Sequence, residues 1–318
     1  MKTFMRSMAV GTALSAVMMT AASAETRITY KSAKTGSSYY QMGVELAEAV
    51  KRGTDGDVIM TIEESQGSVQ NVMEVRARGG DYVFTTPPSL ATAAAAATGP
   101  FADKGHENFS EIRALFPIPS LTMHFVMSAE TGATKLADIE GTSVLLGKGS
   151  FGATEGEKYI DLFGLAGKVE IADAELSNAV AALKNGQIDG FVTAGSWPAP
   201  NVIEAAASTP VTVLSMSEEE IAKTGRTAMT IPAGTYAGQS ADIHTTSLPV
   251  MAFTTTAMDE DTAYLLTKTF WESKAEMAGV APWWDGVNVD MLNQDGIAFH
   301  PGAVRYYDEQ GIALPAAN

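Results

Sequence analysis

Four times along this chain an apolar strand-like run enters a loop of glycine and serine and leaves it as a helix, and this recurring unit restricts the fold more than any other feature. Arg27–Tyr30 alternates as a strand and leads through Gly36-Ser37-Ser38 into a helix. Val58–Ile62 leads through Glu64–Ser68 into a second helix carrying Val69, Val72, Met73 and Arg76 on one side. Ser143–Leu146 enters Gly147–Ala153 and a helix with Tyr159, Leu162 and Phe163, and Ile188–Thr193 enters Ala194–Pro198. Alternating strands and helices of this kind build an α/β sheet. In such sheets ligands lie beyond the carboxyl ends of the strands, where loops of this type gather.

The helical punctuation agrees. In the first unit Tyr40, Gly43, Val44, Ala47 and Val50 recur at helical spacing opposite Glu45, Glu48 and Lys51, which predicts an amphipathic helix. Gly79-Gly80 is expected to close the second helix as a left-handed cap before a strand over Asp81–Phe84. Asn178–Lys184 is read as a helix ended by Asn185-Gly186, with the same offset as Asn71 to Gly79. The repetition predicts two lobes of similar plan, on either side of a long strand candidate at Leu121–Met127. Two loops from each lobe then face a cleft that closes on a small molecule by hinge bending.

Residues 1–24 carry Lys2 and Arg6, an apolar run from Met8 to Ala22, and Ala22-Ser23-Ala24 before Glu25, the plan of a secretory signal. Its apolar run is too short to span a bilayer. Cleavage after Ala24 takes 24 of the 318 residues and leaves 294; losing Lys2 and Arg6 moves the formal charge from −16 to −18. A chain this acidic, without a basic cluster, is a poor ligand for nucleic acid. With no cysteine it has no disulfide, thiolate ligand or lipid-attachment thiol. A free periplasmic protein is expected.

Catalytic patterns are weak. His106, His124, His244 and His300 show no spacing that gathers a metal, so no metal or other cofactor is expected. Gly67-Ser68 and Gly195-Ser196 lack the flanks of a nucleophile elbow, and Gly147–Gly152 is not a phosphate loop. Binding chemistry fits better. Helix starts at Ser38, Ser68, Ser150 and Ser196 offer N–H groups and hydroxyls to a carboxylate, although a plain cap is the default reading of each serine taken singly, and Ser37 competes with Ser38 for that role. Lys148 is either a cleft cation or a solvated lysine. Asn71, one turn beyond Ser68, shares that loop's direction or is a surface amide. Trp197, before Pro198, walls the cleft or packs in the core, and Trp283 and Trp284 are read as packing residues.

Taken in order, TGSSYYQMGVELAEAV (35–50), QGSVQNVMEVRARGGDYVF (66–84), NGQIDGFVTAGSWPAP (185–200), TIPAGTYAGQ (230–239) and FHPGAVRYYDEQG (299–311) resemble the successive motifs of TAXI-family solute-binding proteins of TRAP transporters. The resemblance extends over nearly the whole chain after the leader. It implies the type II periplasmic binding-protein fold, with lobe I from 25–125 plus 249–318, lobe II from 126–248, a strand hinge and a ligand cleft between the lobes. It also implies a monomer that delivers a small organic acid to a TRAP membrane permease. The ligand residues it implies are Gly36, Ser38, Tyr39, Gly67, Ser68, Asn71, Lys148, Ser150, Phe151, Ala153, Gly195, Ser196 and Trp197. One departure stands out: Phe151-Gly152-Ala153 occupies the place of the family's Ser-Gly-Thr, which exchanges two hydroxyls for a ring and a methyl and argues for a less polar acid than glutamate. Two other readings keep the bilobal fold: a receptor subunit for a periplasmic sensor or an ABC-type importer, and an enzyme. An enzyme that attaches its cofactor through cysteine is opposed by the absence of that residue.

Overall fold

A computed structural model of the chain describes residues 25–148, 150–293 and 296–316, so residues 1–24, expected above to be a secretory signal, lie outside the described residues. The first half runs β1 (Thr26–Lys31), α1 (Ser38–Gly53), β2 (Val58–Glu63), α2 (Ser68–Glu74), β3 (Tyr82–Thr86), α3 (Pro88–Ala95) and the long β4 (Ile112–Ser128). It continues through β5 (Ser143–Leu145), α4 (Phe151–Leu162), β6 (Glu170–Ala172), α5 (Ala179–Lys184), β7 (Gly190–Gly195), α6 (Pro200–Ser208), β8 (Val211–Val213), α7 (Glu218–Thr224) and β9 (Thr227–Ile231). A second long strand, β10 (Ile243–Thr255), and helices α8 (Glu260–Val280) and α9 (Pro301–Glu309) complete it.

The strands join in the order β2-β1-β3-β10-β4-β7-β5-β6, with β8 beside β4 and β9 beside β10. β2-β1-β3 and β7-β5-β6 are parallel sets or include parallel pairs through β1 and β5, because a helix carries the chain back between their strands. Between the two sets lie β10 and β4, antiparallel to each other. β4 pairs with β10 from Ile112 to Thr122 and with β7 from Thr122 to Met127, so Thr122 is where it passes from one set of strands to the other. The result is a two-lobed α/β fold in which β4 and β10 join the lobes. One apolar core fills most of the molecule, and a smaller one gathers Val126, Leu145, Val180, Leu183, Phe191, Val202 and Tyr236 around β7.

Local details differ from the sequence expectation in ways that matter at the cleft. α1 buries Tyr39, Met42, Gly43, Leu46, Ala49 and Val50 and leaves Val44 36% exposed, so its inner face is turned by one residue. Packing decides this: the larger side chains go inward, and bare Gly43 lets the Tyr30 ring approach to 3.1 Å from where a Cβ would stand. α2 ends at Glu74, before Gly79-Gly80, and neither glycine has positive φ. Gly80 serves a close approach instead, since a Cβ there would meet the Ala257 carbonyl oxygen at 2.1 Å. Leu162 is exposed, and α6 starts at Pro200, so neither Ser196 nor Trp197 stands at a helix start. Gly186, by contrast, is the left-handed residue expected after α5.

Candidate functional site

The starts of α1, α2 and α4 meet across a cavity at the carboxyl ends of β1, β3 and β7. Of the residues put forward as ligand contacts, Tyr39, Gly67, Ser68, Ser150 and Phe151 line it. The lobes approach closely here: a Cβ on Gly67, whose φ is +107°, would lie 3.8 Å from the Phe151 N. A helix leaves the first N–H groups of its opening turn without intrahelical acceptors. Ser37 caps the Tyr40 N–H in α1 at 3.2 Å, and Ser150 caps that of Ala153 in α4 at 3.0 Å. The remaining first-turn groups of these helices give the cavity a positive end.

Ser38 does something else. Its Oγ accepts the Ser196 N–H at 3.1 Å from the other lobe, and Ser196 Oγ donates to the Ser120 carbonyl at 3.2 Å. Gly195 permits this contact, since a Cβ there would stand 2.6 Å from Ser38 Oγ. These three residues form an interlobe wall behind the cavity. Tyr39 is anchored to the same wall by its hydroxyl, which donates to the Pro119 carbonyl at 2.9 Å, and burial pushes its phenol well above the usual range.

Other expected residues lie elsewhere. Asn71 is fully buried beneath the cavity floor, donating to the Ser32 and Thr85 carbonyls at 2.7 and 2.8 Å. Ala153 packs on the buried side of α4 and does not line the cavity. Gly36, at φ +86°, turns the chain at the edge of an outer groove. Lys148 is a solvated lysine paired with Asp173, whose carboxylate raises its pKa. Trp197 lines a separate cavity with Trp283, Met229 and Ser120.

Several lining residues were not foreseen: Ser32, Lys34, Thr85, Leu121, Leu176 and Thr193 among them. Thr193 ends the apolar run just before the Ala194–Pro198 loop, a position the strand-to-loop rule points to. Ser68 from one side and Thr193 from the other both line the cavity, and neither hydroxyl has a hydrogen-bond partner among the described residues. Lys34 is the only cation in the lining and no carboxylate shares the lining with it, although its ammonium pairs with Glu175 at the edge. A deeper lysine, Lys31, is consumed by Glu63 at 2.6 Å and Glu74 at 3.2 Å. Tyr39, Leu121, Phe151, Leu176, Val192 and Val250 make the rest of the wall apolar.

Comparison with solved structures gives the same architecture. The periplasmic binding protein BugD superposes with a TM-score of 0.57 at 10% identity, over 91% of this chain and 98% of that one. MatC from Rhodopseudomonas palustris, solved with bound malate, gives 0.55 at 10% identity, over 90% and 96%. A protein from Bordetella bronchiseptica RB50 gives 0.52 at 15% identity, over 91% and 83%. At such identities the likeness concerns the fold, which is that of periplasmic binding proteins. The sequence model of the NMT1-like family matches residues 31–311, most of the chain, and the chain therefore belongs to the NMT1-like family.

Proposed function

We propose that this protein is a periplasmic solute-binding protein that captures a small monocarboxylate between its lobes and hands it to a TRAP-type membrane permease, as a monomer of the TAXI group. The observation that carries the ligand class is the lining itself. In a chain of formal charge −16, a cavity between the lobes presents helix starts, one lysine and two hydroxyls without partners, and no carboxylate, among the described residues. Anionic oxygen fits those donors, and the apolar remainder suits a short hydrocarbon tail. The apolar lining favours a ligand with a hydrocarbon tail over a polyhydroxylated acid.

Lobe boundaries at 125/126 and 248/249 fit this reading, because they fall within β4 and β10, the strands that join the lobes. Delivery to a TRAP permease and the periplasmic address rest on the motif order and on the leader-like first 24 residues.

A thermal-shift panel on protein refolded to remove carried ligand tests the reading. A monocarboxylate at ~1,000 times its dissociation constant adds about 4 kcal/mol to stability, a midpoint rise of several degrees. No movement with any monocarboxylate, dicarboxylate or amino acid sinks it.

A further inference from the structure

The cavity has a second compartment outside it. An outer groove is lined by Thr35, Gly36, Glu64, Glu175, Asn201 and Glu204, and it shares Lys34, Ser37 and Leu176 with the inner cavity. The partition between the two is therefore the Lys34–Glu175 ion pair with the Leu176 side chain beside it. Lys34 follows β1 and Glu175 precedes α5, so the pair joins the two lobes, and it is the only ion pair among the described residues that does so. Its side chains are 24% and 45% exposed, the kind of pair that salt and solvent leave weak.

We propose that Glu175 occupies Lys34 as a stand-in for the ligand carboxylate, and that the ligand enters the inner cavity by exchanging with it. The inference rests on the carboxylate reading above. Lys34 is the one cation the inner lining offers, and its counter-ion belongs to the protein, is exposed on the groove side, and is attached to the opposite lobe. A ligand carboxylate reaching Lys34 replaces one anion with another, so the desolvation cost is shared and the lobes gain a bridge through the ligand. Once displaced, Glu175 joins Glu64 and Glu204 in an acidic groove. A second carboxylate on the ligand would face all three, and monocarboxylates are selected over dicarboxylates of similar length.

The test uses the full chain and two probes, butanoate and succinate, with Glu175→Gln and Lys34→Gln variants. Without any ligand, small-angle scattering should give Glu175→Gln a larger radius of gyration than the parent, because the interlobe pair is gone. By calorimetry, Glu175→Gln should bind butanoate up to about fivefold more tightly, the range an exposed pair can supply, and should discriminate less against succinate. Lys34→Gln should weaken butanoate at least about tenfold, as expected for the loss of a charged hydrogen bond. Identical scattering together with identical butanoate affinity in Glu175→Gln overturns the exchange. If scattering responds but neither protein binds butanoate or any other carboxylate, the carboxylate reading fails and the exchange fails with it, leaving Lys34–Glu175 as an interlobe tether only.

Discussion

Two layers of polar side chains meet at the cleft, the lower one largely paired within the protein, although its Asn71 Oδ1 has no partner among the described residues, and the upper one largely not. In the lower layer, Tyr30 and Thr85 share a hydrogen bond of 2.6 Å, Thr85 donates to Ser32 at 3.2 Å, Ser32 donates to the Tyr39 carbonyl at 2.9 Å, and the Asn71 amide spans Ser32 and Thr85. In the upper layer, Ser68 and Thr193 line the cavity with unengaged hydroxyls, and Lys34 holds a partner that solvent reaches. Serine, threonine and asparagine look alike in sequence. Whether one meets a ligand depends on whether the fold has already given it a partner.

The comparison is broken most forcefully at Asn71. Asn71→Ala removes two buried hydrogen bonds, together with an Oδ1 that has no partner among the described residues, so stability should fall by about 2 kcal/mol and Tm by a few degrees. Urea melts measure the first and calorimetry the second. An unchanged melt with weakened ligand binding would move Asn71 into the upper layer.

A second element of the sealed interior is His124, fully buried, whose Nδ1–H donates to the Thr122 carbonyl at 3.1 Å and whose Nε2 accepts from the Tyr236 hydroxyl at 2.8 Å. Burial pushes its pKa from 6.5 down to about 4. Below pH 6.5 the unfolded chain takes up a proton that the folded one refuses. The contribution of His124 is thus complete above pH 6.5 and is lost as the pH falls to about 4, a change of about 3 kcal/mol. Urea melts at pH 7 and pH 4.5 should show this slope in the parent and lack it in His124→Gln. Equal slopes would contradict a neutral buried imidazole.

The upper layer should answer in binding instead. Ser68→Ala and Thr193→Val should each weaken a bound monocarboxylate by about 2 kcal/mol, the worth of a hydrogen bond to a charged group, with ligand-free melts nearly unmoved. Smallest is Ser150→Ala: Ser150 caps α4, so about 1 kcal/mol of stability is lost while affinity changes little. A large affinity loss there would put its hydroxyl on the ligand and not on the Ala153 N–H.

Much of the fold was legible because strand alternation and glycine punctuation are local signals. The run Ile188–Thr193 and the left-handed Gly186 needed nothing from the rest of the chain. The α1 face was missed by one residue because Tyr40 and Val44 fit helical spacing as well as Tyr39 and Met42, and only packing against Tyr30 separates them. At the site, Gly67, Ser68, Ser150 and Phe151, which the glycine-serine loops and the resemblance put forward as ligand contacts, lie in the cavity wall. They could not reveal that Ser38 would be spent on Ser196, that Lys148 would pair with Asp173, or that Lys34 would be the lining cation. Those outcomes depend on partners 25 to 158 residues away along the chain.

The central claim is that the cavity takes one carboxylate at Lys34 and a short apolar tail against its apolar wall. Calorimetric titration of the refolded protein with straight-chain acids from acetate to octanoate tests it most directly. Each methylene buried against Leu121, Val192 and Val250 should add up to about 0.8 kcal/mol, so affinity should climb to butanoate or pentanoate and then fall as the tail outgrows the cavity. Affinity that rises without limit to octanoate, or no binding by any member of the series, contradicts the account.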